Sequence, residues 1–77
     1  MRRFRKGGSA MDELHEITWK ARFIARLAEL FVRNGLDAKA AIADAHAHSQ
    51  DRYPHGKDAD PVDDAETLHR ELQADPR

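Results

Sequence analysis

Five histidines are the side chains of this 77-residue chain best suited to bind a metal or move a proton near neutral pH. His46 and His48 sit two apart in "LFVRNGLDAKAAIADAHAHS", residues 30–49. On a helix an i, i+2 pair points about 200° apart, so these two cannot hold one ion between them. Asp44 with His48, or His48 with His55 across a turn, is better spaced. Neither supplies the three protein ligands that a catalytic zinc takes, and no HExxH motif is present. His15 and His69 lack triad-like neighbours, and the only serines, Ser9 and Ser49, lie in no nucleophile motif. The absence of cysteine excludes disulfides, thiolate zinc sites and a cysteine nucleophile. No Gly-rich phosphate loop occurs. The expectation is a non-enzymatic protein with no metal and no cofactor, its histidines at the surface.

Arginine offers the second chemistry, phosphate binding. Arg2, Arg3, Arg5 and Lys6 form a basic start, whereas residues 51–77 carry eight acids against four bases. Arg22, Arg26 and Arg33 add a stripe further on. Residues 30–49 have the outline of a helix-turn-helix. A DNA reader, however, needs polar and basic side chains where the second helix opens. Here that helix opens Asp37-Ala38-Lys39-Ala40-Ala41, and phosphates repel Asp37 and Asp44. The segment is therefore read as a packing corner. Nucleic-acid association through the basic arm and the arginine stripe, without base specificity, is kept as the alternative function.

The elements that must position these groups are helical. Ile17, Ala21, Ile24, Ala28 and Phe31 recur at spacings of four, three, four and three. Leu27 flanks this stripe on one side, and Leu14, Ala25 and Val32 flank it on the other; Trp19, Phe23 and Leu30 widen it further. The apolar arc is nearly twice the ~100° that one neighbouring helix requires, so this helix needs at least two packing partners. Gly35 suits a left-handed cap and Leu36 can fold back on Phe31. Asp37 is a good N-cap for an alanine-rich helix ending near His48 or Ser49, or at the latest Arg52, with Pro54 opposing continuation. Asp60 and Pro61 open a short acidic helix carrying Ala65, Leu68 and Leu72.

The fold expected is all-α: a helical hairpin (long amphipathic helix, Gly turn, Ala-rich helix) over residues 11–52, a polar linker over 53–60 and an acidic tail with a short helix over 61–77. Residues 1–10 are read as a basic leader preceding a native start at Met11, because Lys6-Gly7-Gly8 can be encoded by a purine-rich ribosome-binding site; their other reading is a nucleic-acid-binding arm. The Ala/Arg/Asp-rich composition suits a GC-rich bacterial or phage genome. No membrane span or secretory signal is evident, which points to the cytoplasm.

So short a chain has a marginal core and commonly needs a partner. The alanine-rich helix is too thin to cover the first helix. Two hairpins are therefore expected to pair as a homodimer forming a helical bundle, which binds and modulates a larger protein as an adaptor or inhibitor. Trp19, Phe23, Leu27, Leu30 and Phe31 are the expected packing and anchoring residues, with Arg22, Arg26 and Arg33 giving orientation.

Overall fold

The computed structural model describes residues 8–74, and side chains from residue 13 onward. The basic arm, Arg2 to Lys6, lies outside the described residues. Those residues form three helices and no strand: α1 (Gly8–Arg33), α2 (Ala38–Gly56) and α3 (Pro61–Ala74). The 26-residue α1 is the spine, packed against both α2 and α3. None of the three is long and apolar enough to cross a membrane.

Local chemistry explains each boundary. Gly35 has φ +100°, a conformation that costs an L side chain roughly 1–2 kcal/mol. The Leu36 amide donates to the Phe31 carbonyl at 3.0 Å and the Gly35 amide to the Val32 carbonyl at 2.9 Å, the paired bonds of a Schellman turn. Asp37 then accepts from the amides of Lys39 and Ala40, satisfying donors that the new helix leaves orphaned. The Asp60 side chain accepts from the Val62 amide, and Asp63 and Asp64 lie in the positive first turn of α3.

α1 begins at Gly8, inside the segment read as a leader, and the end of α2 departs further from expectation. α2 does not stop before Pro54 but carries that proline inside its last turns and ends at Gly56. Proline removes the amide that would bond the Gln50 carbonyl and normally breaks a helix at a cost of ~3 kcal/mol. Contacts on either side hold the segment helical. Tyr53 sets its ring edge-on to Trp19 at 5.4 Å, and Arg52 binds Asp64 of α3. Gly56 passes close to α3: a Cβ there would lie 3.0 Å from the Asp64 carboxylate and 3.6 Å from the Trp19 ring. The connection to α3 is correspondingly shorter than the polar linker expected at 53–60.

The core comprises Trp19, Phe23, Leu27 and Ala28 of α1, Ala41 and Ala45 of α2, and Ala65 and Leu68 of α3. Ala41, Ala45 and Ser49 follow one another at four-residue spacing and face inward, so α2 lies close to α1. Ser49 is fully buried and donates its hydroxyl to the His46 carbonyl at 2.7 Å, which satisfies it within its own helix.

Candidate interaction surface

The wide apolar arc of α1 divides into two faces. Trp19 is 2% exposed, and Phe23 and Leu27 are completely buried. These three, read from the sequence as packing and anchoring residues, lie in the core of the single chain together with Ala41 and Ala45 of α2 and Ala65 and Leu68 of α3. The Trp19 indole donates to the Ala59 carbonyl at 2.9 Å while its ring stacks on Phe23 at 5.2 Å. His15 Nε2 lies 2.9 Å from the Lys57 carbonyl. Two α1 side chains thus pin the connection that turns the chain into α3. Leu30 and Phe31 are half-buried, with Phe31 between the rings of His48 (6.3 Å) and His69 (6.0 Å).

The arginines separate in the same way. Arg26 binds Glu66 of α3 at 2.7 Å and Glu29 of its own helix at 3.0 Å. These hydrogen bonds, Glu66 first and Glu29 second, raise the guanidinium pKa above its ordinary value. Arg33 pairs with Glu29 at 3.1 Å. Arg22 is exposed and has no ion pair among the described residues. On α2, Arg52 binds Asp64 through two nitrogens and approaches Glu71 at 3.8 Å; the Asp64 hydrogen bond is the main cause raising its pKa. The arginine stripe is thus largely neutralised by carboxylates of the same chain, and Arg26 and Arg52 tie α3 to the other two helices.

The histidines are dispersed. His48 stands by Phe31, and His69 Nε2 meets the Asn34 side-chain amide at 2.6 Å. Among the described residues no three His, Asp or Glu side chains converge on a point where an ion could sit.

What remains uncovered is the opposite flank of α1. Leu14, Ile17, Ala21, Ala25, Ala28 and Val32 recur at spacings of three, four, four, three and four, placing them on one side of the helix. Leu14 is 60% and Ile17 65% exposed; Val32 is also exposed, and only Ala28 is buried. At the C-terminal end this stripe widens into a shallow apolar groove between α1 and α2, lined by Ala25, Ala28, Val32, Ala38 and Ile42 and edged by Glu29 and Arg33. Ile42, the only large aliphatic side chain of α2, is 54% exposed there.

No family model, curated protein or solved structure matches this chain. Its function is therefore argued from this surface. The flank formed by Leu14, Ala25 and Val32 is visible in the sequence as one edge of the helical stripe. Which of the two edges α3 covers is not visible there, because that choice depends on the Trp19–Ala59 and Arg26–Glu66 contacts between residues 40 apart.

Proposed function

We propose that this chain is a small, non-enzymatic protein-interaction module that functions as a homodimer. The observation that carries the reading is the uncharged stripe from Leu14 to Val32, continuous with the Ile42 groove. Exposed aliphatic groups that run together along an element mark an interaction surface, whereas scattered ones do not. Burying Leu14, Ile17, Val32 and Ile42 at their present exposures contributes on the order of 1 kcal/mol each. A second copy offers the same stripe, and isologous pairing of one surface with itself is the commonest route to a soluble oligomer. The pair is a helical bundle whose outward faces come in two identical sets. That arrangement suits an adaptor or inhibitor that grips and modulates a larger protein. The nucleic-acid alternative has less support, since Arg26 and Arg33 already bind Glu66 and Glu29.

Sedimentation of the full chain across the micromolar range tests the proposal. A dimer whose melting temperature rises with concentration is expected, because folding and association are then linked. Ile17→Glu, at an exposed position, should yield a folded monomer. A wild-type chain that remains monomeric, with a concentration-independent melting temperature, overturns the reading.

A further inference from the structure

The uncovered stripe is unequal at its two ends, and the inequality has a direction. Its N-terminal end projects: Leu14 and Ile17 are its two most exposed large side chains. Its C-terminal end recedes into the groove between α1 and α2. Between them Ala21 and Ala25 leave the helix surface low, so that another helix can approach near the short end of the usual 8–10 Å spacing. Leu14 and Val32 stand nine residues either side of position 23, and Ala21 and Ala25 two residues either side.

We infer that two copies pair with their α1 helices antiparallel, the twofold axis passing at the level of residue 23, so that Leu14 and Ile17 of each copy seat against Val32 and the Ala28–Ile42 groove of the other. The inference rests on the homodimer proposed above and adds its orientation and register.

Three features favour this arrangement over a parallel pair. A parallel pair sets Ile17 against Ile17 beside Ala21 against Ala21, so bulk at one level holds the helices apart at the next and leaves a void. The antiparallel pair sets projecting groups into receding ones at both ends. α2 flanks α1 on one side of the stripe, and the twofold brings the two α2 helices to the same side, giving a four-helix layer with Ile42 facing inward. Charge agrees as well. Arg22, which has no ion pair among the described residues, and Glu29, which Arg26 and Arg33 of its own copy already bind, lie on the other edge of the stripe, and like edges meet in an antiparallel pair. Helical side chains lean toward their own N-terminus, so Arg22 of one copy and Glu29 of the other lean toward one another.

The sequence contains no cysteine, so single thiols report the register cleanly. Leu14→Cys and Val32→Cys, both at exposed positions, are prepared separately in the full chain and checked for helicity and mass. Under a mild oxidant, the equimolar mixture should form a disulfide-linked dimer more than about tenfold faster than either variant alone, because pairing raises the local thiol concentration. Fast linkage of Leu14→Cys to itself identifies a parallel pair and overturns the register while leaving the homodimer standing. A dimer in sedimentation whose thiols fail to link in any combination overturns the choice of face. Monomers throughout overturn both this register and the homodimer on which it rests.

Discussion

Replacing Trp19 with Phe removes one hydrogen-bond donor and part of one ring from the place where all three helices converge. The indole N–H bonds the Ala59 carbonyl at 2.9 Å, and the ring lies between Phe23 at 5.2 Å and Tyr53 at 5.4 Å. Ala59 is exposed, so its freed carbonyl regains water, and the lost bond costs toward the lower end of about 0.5–1.5 kcal/mol. The missing part of the ring leaves a gap in a fully buried position. Scaled from the ~3–5 kcal/mol of complete aromatic truncation, that gap costs about 1–2 kcal/mol. Together these predict a loss of about 2 kcal/mol, or roughly 8–16 °C in melting temperature for a domain of this size. Far-UV circular dichroism at fixed protein concentration measures the shift. Hydrogen exchange locates it: protection should fall first in residues 57–74, the segment that Trp19 pins. A melting temperature within about 2 °C of wild type would refute the role given to this side chain. So would a loss of protection confined to the Gly35 turn.

Gly35→Ala should destabilise by about 1–2 kcal/mol in chemical denaturation, entirely from the φ of +100°, because the space around its Cβ is open. Asp37→Ala should cost about 1 kcal/mol by removing the acceptor for the Lys39 and Ala40 amides, and Asp37→Asn should restore most of it in the same titration. Pro54→Ala should raise the melting temperature, gaining about 1–3 kcal/mol as an amide is restored opposite the Gln50 carbonyl; a lower melting temperature would contradict the account of α2. Asp64→Ala removes the two-nitrogen grip of Arg52 and a first-turn acid of α3; a loss of about 1–2 kcal/mol is expected, smaller in high salt, by thermal melts at two ionic strengths.

The helix ends were largely legible because single residues decide them: Gly35, Asp37 and Asp60 each do locally what their chemistry favours. Pro54 was misread because local propensity lost to packing, with Tyr53 on Trp19 and Arg52 on Asp64 holding the turn that proline weakens. The apolar width of α1 and its need for two packing partners were legible as well. The side left open was not. Trp19, Phe23 and Leu27 are large groups suited by type both to pack a core and to anchor another molecule, and the fold buries them. The smaller flank of Leu14, Ala21, Ala25 and Val32 was in view, but nothing local distinguishes a face that α3 covers from one that it leaves bare. The arginine stripe was misleading for a related reason, since Glu66 lies 40 residues from Arg26 in the chain.

The two sets of contacts made by α1 also differ in how quickly they can form. The Phe31–Leu36 turn closes across five residues, whereas Trp19–Ala59 and Arg26–Glu66 close across 40. Three doublings of loop length cost about 2 kcal/mol in closure entropy, roughly a thirtyfold handicap if α3 docks onto an otherwise unfolded chain. Once α2 lies along α1, only residues 57–60 remain to be closed and most of that handicap disappears. α3 should therefore arrive second. In stopped-flow measurements Leu68→Ala should act mainly on the unfolding rate, while Ala41→Gly should slow folding itself.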